Sequence, residues 1–210
     1  MLNLQDIRQK LASLGTSCDA GVLSGGQSIR MGGEDKGLVN FLGKPLASYP
    51  SRLLSPLAQD HQTIISCNRN FDQYKQISQR ICRDRYSEFF GPLAGIESLL
   101  SNSSSDVLFI SPCDTPLVTS ECFTVIANHI ITQLESGTDL KPVALIQNNQ
   151  KHPLHCCLPK SSLGSVMRAI TSRHFKLIKW LEDEGVIWAT GPSVCFDNAN
   201  SLEDLALLER

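Results

Sequence analysis

The sequence predicts an α/β fold in three layers, a mostly parallel twisted sheet with helices on both faces. Three observations carry that expectation. Short apolar runs alternate with longer amphipathic ones along the chain. No repeat, linker or low-complexity tract divides its 210 residues. The two most polar strand exits, Ser24-Gly25-Gly26 and Pro112-Cys113-Asp114, would open on one edge of such a sheet, where ligands of this fold class sit.

The elements follow in order. Leu4, Ile7, Leu11 and Leu14 recur at helical spacing, so residues 1–17 read as an amphipathic helical extension docked ahead of the core. Residues 19–24 form a strand that delivers a glycine loop. Residues 45–57 have helical spacing, but Pro50 and Pro56 predict a break or a short helix. A strand over 63–67, a short helix over 73–79 and a third strand from Ile81 to near Asp84 come next. Gly91-Pro92 punctuates the chain before a helix over 94–100, and 101–105 is a polar turn. Residues 107–111 are a buried strand. The helix over 119–134 has Thr119 as its cap and Glu121 in its first turn. Strands over 143–146 and 154–158 flank a turn at Asn148-Asn149. Helices over 162–170 and 175–182, strands over 186–189 and 194–196, and a capped helix over 201–208 complete a single domain, 1–210.

Hydrophobic residues make up 41% of the chain and charged residues 19%, which suits a folded protein. The formal net charge is −2 with no basic block, so neither nucleic acid nor an anionic membrane is an expected partner. No run of about 18 apolar residues suggests a membrane span. Asp6, Arg8 and Lys10 interrupt what a signal peptide would need, and a cytoplasmic location is expected. The eight cysteines are scattered through apolar runs with no CxxC pair, so buried reduced thiols are expected rather than disulfides or a zinc site. His152 and His155 fall on a strand at odd spacing, which predicts opposite faces and no shared ligand.

The most informative segment is LSGGQSIRMGGEDKG, residues 23–37. Gly25-Gly26 and Gly32-Gly33 let the backbone turn sharply and approach a ligand closely, and successive amides there can cradle an anion. Arg30 supplies a planar cationic fork and Lys36 a point charge for phosphate oxygens. The segment matches neither GxxxxGK[ST] nor GxGxxG. By itself this loop predicts phosphate binding; extended to Lys36 and joined to Asp114, it points to metal-assisted nucleotidyl transfer. Asp114, at a strand exit between Pro112 and Pro116, suits Mg²⁺, a hard ion held by one or two carboxylates plus phosphates and water. Gly91 opens a helix whose free amides can meet a phosphate or sugar oxygen.

The stretch GVLSGGQSIRMGGEDKGLV, residues 21–39, resembles the signature of molybdenum cofactor guanylyltransferases, with Ser24 where that family usually has alanine. PCDTP (112–116) resembles the family's metal motif and GPLAG (91–95) its nucleotide-side motif. Asp84 aligns with an aspartate that contacts the nucleotide in relatives, on either base or ribose. Ser66-Cys67-Asn68-Arg69 stands where relatives carry Asn-x-Asn-Arg, so Ser66 replaces an asparagine that contacts nucleotide. Residues 196–201 resemble a family segment through which Asn198 and Asn200 would reach the phosphates or the pterin, or else cap the last helix. His152-Pro153 matches a pair on the acceptor side. The match covers roughly 21–116 and the short asparagine segment.

This resemblance implies a three-layer Rossmann-like nucleotidyltransferase fold, with 18–116 as the nucleotide-binding half and 117–210 as the acceptor-binding half. It implies transfer of GMP from GTP to the terminal phosphate of molybdenum-molybdopterin, with Arg30, Lys36 and Asp114 as catalytic residues, Leu23, Ser24, Gly25, Gly26, Gly33, Lys36, Ser66, Asp84, Gly91 and Asp114 on the nucleotide, and Mg²⁺ as cofactor. It also implies transient contacts with molybdoenzymes, their chaperones and the molybdate-insertion enzyme. Two alternatives stay open: another nucleotidyltransferase, cytidylyl or sugar-phosphate, and a non-catalytic nucleotide-binding regulator.

Overall fold

The structure is a computed structural model that describes residues 2–25, 35–86, 90–192 and 202–208. Its core is a seven-stranded sheet, formed by β1 (Cys18–Leu23), β4 (Ile64–Ser66), β5 (Ile81–Cys82), β6 (Val107–Pro112), β7 (Val143–Gln147), β8 (Gln150–Pro159) and β9 (Ile187–Thr190). Their spatial order is β5-β4-β1-β6-β8-β7-β9. Pairing is parallel except at β8, which runs against both β6 and β7. The chain lays down β4 and β5 on one side of β1, then returns to place β6 on the other. That reversal opens a crevice at the strand ends beside β1, the usual ligand position in this architecture.

Alternation along the strands decides which helices cover which face. Phe109 of β6 points into a cluster with α1 (Leu4–Ser13) and α5 (Ser120–Glu135). Its neighbours Leu108 and Ile110 point the other way, against α4 (Pro92–Asn102), α6 (Leu163–Thr171) and α7 (Leu177–Asp183). Ile7 and Leu11, one turn apart, are fully buried, so the N-terminal extension is part of the packed α5 layer. A capping box between Asn3 and Asp6 starts α1. No helix among the described residues is long and apolar enough to cross a membrane.

Several expectations need correction. Residues 45–57 do not begin as helix. Lys44–Pro45 is β3, paired with β2 (Asn40–Phe41) around a tight turn in which Leu42 has φ 45° and Gly43 has φ 80°. Helix α2 is short, Ser48–Leu54, and Pro56 passes into a 3₁₀ turn, Ser55–Leu57. The helix expected over 73–79 is a single turn, α3 (Phe71–Tyr74). Thr119 is the N-cap residue of α5, yet its hydroxyl makes no cap bond. The strand expected over 194–196 lies outside the described residues. The closing helix α8 (Leu202–Leu208) sets Leu205 against Val39, Phe41 and Leu46 of the hairpin region.

At the N-terminal end of β1, Asp19 is fully buried and takes a bidentate pair from Arg80, at 2.9 and 2.7 Å. Ser103 Oγ and the Gln59 amide also donate to it. This knot ties β1 to the segments preceding β4, β5 and β6. Asp19→Ala would leave the Arg80 guanidinium facing unfilled space, and a loss of about 2–4 kcal/mol is expected in urea unfolding.

Candidate active site

The site begins with strand pairing. Leu23 of β1 lies in register with Ser66 of β4 and Pro112 of β6. Two bonds continue the ladder past the strand ends: the Ser24 amide donates to Ser66 O and the Cys113 amide to Leu23 O. Three chain exits therefore leave the sheet side by side and line a cavity of about 220 Å³. Leu23, Ser24 and Gly25 come from β1, Ser66 from β4, and Cys113 and Asp114 from β6. Lys36 enters from the 3₁₀ turn Lys36–Leu38, and Gly91 and Gly95 from the start of α4. Asp84 completes the wall beyond β5.

Two features give the cavity its chemistry. Lys36 Nζ donates to Asp114 Oδ2 at 2.7 Å, with about a fifth of each side chain exposed. The second feature is a group of buried oxygens. Among the described residues Ser66 Oγ has no oxygen or nitrogen partner and lies against the Cys82 thiol, and Ser24 Oγ likewise lies against Cys113. Asp84 Oδ1 is also buried, with no partner among the described residues. Gly95 leaves space where Ser66 and Asp84 converge. A β-carbon there would stand 2.7 Å from Leu23 Cδ2, 3.3 Å from Ser66 Oγ and 4.0 Å from Asp84 Oδ1. These oxygens are therefore placed to bond a polar ligand that enters the cavity.

Asp84 is fixed from the other side. Asn68 Nδ2 donates to Asp84 Oδ2 at 2.8 Å, and the Asp84 amide donates to Asn68 Oδ1 at 3.0 Å. Asn68 therefore orients the carboxylate, a role that sequence reading did not assign to it. Burial raises the Asp84 pKa above the ordinary carboxylate value, the bond from Asn68 opposes the rise, and the nearby Glu97 charge adds to it. Stability from this group is thus present at low pH and is lost as pH rises through its raised value. Burial pushes the thiol of Cys113, beside Asp114, up to about 12.

Sequence reading placed His152 and His155 on opposite faces, and the structure overturns this. A register shift between Ala144 and Leu145 pairs these residues with Cys156 and His152, which bulges β8 and brings the two rings to 6.2 Å. His155 is buried, with a pKa near 3 set mainly by that burial, and shares a 2.9 Å hydrogen bond with Thr115 of the Asp114 turn. His152 is half-buried and does not line the cavity, although Leu154 between them does. No cluster of three or more His, Cys, Asp or Glu side chains suited to a metal occurs among the described residues. Seven cysteines are buried free thiols. Gly26, Arg30, Gly33, Cys195, Asn198 and Asn200 lie outside the described residues.

A parallel core reversing at β1, with a cationic and acidic pair at the crevice, suits phosphate and a hard cation, and likeness to known proteins makes it the site of a nucleotidyltransferase. Residues 20–185 match the MobA-like NTP transferase domain, and the chain belongs to that family. The molybdenum cofactor guanylyltransferase of Shewanella putrefaciens is 32% identical over 189 residues, covering 89% of this chain and 93% of the relative. That of Pseudomonas syringae pv. tomato is 35% identical over 152 residues, 72% of each chain. Among solved structures, the molybdopterin-guanine dinucleotide biosynthesis protein A of Archaeoglobus fulgidus superposes with a TM-score of 0.70 at 23% identity. That superposition covers 91% of this chain and 96% of the other, and shows the shared fold.

The Asn68 bond to Asp84 has a measurable sign. Removing a donor that favours the charged form must raise the pKa further. In Asn68→Ala, the Asp84 carboxyl, followed by NMR, should titrate at a higher pH than in the parent.

Proposed function

We propose that this protein transfers GMP from GTP to the terminal phosphate of molybdenum-molybdopterin, giving the guanine dinucleotide cofactor and pyrophosphate. One observation carries the reading. Three buried oxygens, on Ser24, Ser66 and Asp84, none with an oxygen or nitrogen partner among the described residues, share a cavity with the Lys36–Asp114 pair. Asp84 Oδ1 is the acceptor for the adjacent N1–H and N2–H donors of guanine, held in place by Asn68. The Ser66 and Ser24 hydroxyls bond the nucleotide from the neighbouring strands. The names of the relatives support guanine and molybdopterin as the substrates.

In the reaction, an oxygen of the acceptor phosphate attacks the α-phosphorus of GTP in line with the leaving group. The new bond is that oxygen to α-phosphorus, and the bond from α-phosphorus to the bridging oxygen of pyrophosphate breaks. The acceptor is already an anion, so no side chain has to remove a proton. Positioning and charge stabilisation supply the catalysis. Lys36, exchanging Asp114 for phosphate oxygens, and Arg30 neutralise the triphosphate, while the amides of Gly25, Gly26 and Gly33 fix it. Gly91 presents the start of α4 to the nucleotide. Asp114 is the protein ligand for Mg²⁺, and a single hard carboxylate fits an ion held otherwise by substrate oxygens and water. When bound, the ion would supply positive charge that offsets the negative charge of the substrate phosphates.

The acceptor is assigned to the 117–210 half, with His152, Asn198 and Asn200 on its side. The protein then acts in the cytoplasm and hands its product to molybdoenzymes through transient contacts with them, their chaperones and the molybdate-insertion enzyme.

Calorimetry with the four nucleoside triphosphates and Mg²⁺ should rank GTP first. Equal or tighter binding of CTP or UTP would turn the assignment to a cytidylyl or sugar-phosphate enzyme. Binding without pyrophosphate release in the presence of molybdopterin would point to a regulator. Asp84→Asn should narrow the preference for GTP over CTP by about tenfold, because an amide presents a donor beside its acceptor. Asp114→Ala should cut Mg²⁺-dependent turnover by at least about 100-fold with the fold intact. Lys36→Ala should weaken GTP binding by about tenfold or more, and an unchanged affinity would remove it from the phosphate site.

A further inference from the structure

Lys36 needs something to hold it, and the residue before it has the geometry to do so. Asp35 is extended, with φ −74° and ψ 110°, and stands at the N-cap of the Lys36–Leu38 turn. A carboxylate in that position ordinarily caps the turn. This one makes no cap bond. Its side chain, only 6% exposed, turns instead to the loop between β4 and α3. Tyr74 Oη donates to Asp35 Oδ1 at 2.6 Å, and Asn70 Nδ2 donates to Oδ2 at 3.0 Å. Arg69 Nε stands 3.5 Å from the same Oδ2. Adjacent side chains thus take opposite directions, with Lys36 lining the cavity and Asp35 outside its lining.

Both anchors are costly to arrange without a purpose. Tyr74 is fully buried, so its hydroxyl needs a partner, and it has one in Asp35. Asn70 adopts the left-handed conformation, φ 54°, as it donates. Gly37, on the far side of Lys36, packs against the same hydroxyl. A β-carbon there would come within 2.4 Å of Tyr74 Oη and 3.1 Å of Ser24 Oγ. Lys36 is consequently flanked on both sides of its backbone by contacts to one tyrosine. A carboxylate so close to a triphosphate would repel it if it faced the cavity, and the three donors hold that charge away.

We propose that Asp35 is a positioning residue, latched to Tyr74, Asn70 and Arg69 so that the Lys36 ammonium is delivered to the phosphates of the bound nucleotide. The latch acts on nucleotide binding only through Lys36, and this inference rests on the function proposed above. Double-mutant cycles separate that role from a merely structural one. GTP affinity with Mg²⁺ would be measured by calorimetry for the parent, Asp35→Asn, Lys36→Ala and the double variant, alongside thermal unfolding of each. Asp35→Asn should weaken GTP about tenfold. In the Lys36→Ala background, it should produce no further loss.

Tyr74→Phe removes only the hydroxyl and should behave in the same way, in the same cycle, should Asp35→Asn fail to fold. Multiplying losses in the cycle would overturn the latch, as would parent-like affinity in Asp35→Asn or, failing that, Tyr74→Phe. If Lys36→Ala itself binds GTP like the parent, the phosphate role of Lys36 falls and the latch with it. If Lys36→Ala is weak while the latch variants bind like the parent, only the latch falls.

Discussion

The parallel pairing of β1 with β6 is the constraint on which the site depends. Six residues of each strand stay in register, from Cys18 opposite Val107 to Leu23 opposite Pro112. The pairing makes residues almost 90 positions apart leave the sheet at one height. Asp114, two residues beyond Pro112, meets Lys36 of the 3₁₀ turn Lys36–Leu38 at that height. A one-residue slip would turn Phe109 toward the α4 layer and separate the exits, so core packing holds the site's geometry as firmly as its own bonds do.

Much of this was legible in the sequence, for a physical reason. Buried central strands are short continuous apolar runs, and β1, β4 and β6 stand out as such. Leu23, Ser24, Gly25, Lys36, Ser66, Asp84, Gly91 and Asp114, singled out from motifs, all line one cavity. Less visible was whatever depends on pairing at the edges. The β2–β3 hairpin has only two residues per strand, too few for alternation to show. The bulge in β8 is set by its partner β7, and without it the strict two-residue period sends His155 away from His152. Asn68 was legible as a motif position but not as the group that orients Asp84, since that bond joins two separate strand exits. Gly95 offered a fainter signal: it closes the GPLAG segment, in the first turn of α4 just after the Gly91 cap.

Stability and chemistry occupy opposite ends of β1. Asp19 and Arg80 bind the strand at its N-terminal end, whereas the unpartnered oxygens collect beyond its C-terminal end. Substitutions that strengthen the first end have no direct route to the second, which is where a trade between stability and activity would otherwise arise.

Those unpartnered oxygens have a consequence for how long the chain survives. The open form that proteases attack does not keep their cavity and so does not bind what fills it. A ligand that bonds these oxygens suppresses opening in proportion to its free concentration. The lifetime of the chain is thereby coupled to the supply of whatever fills the cavity, and starvation for that compound would thin out the protein that consumes it.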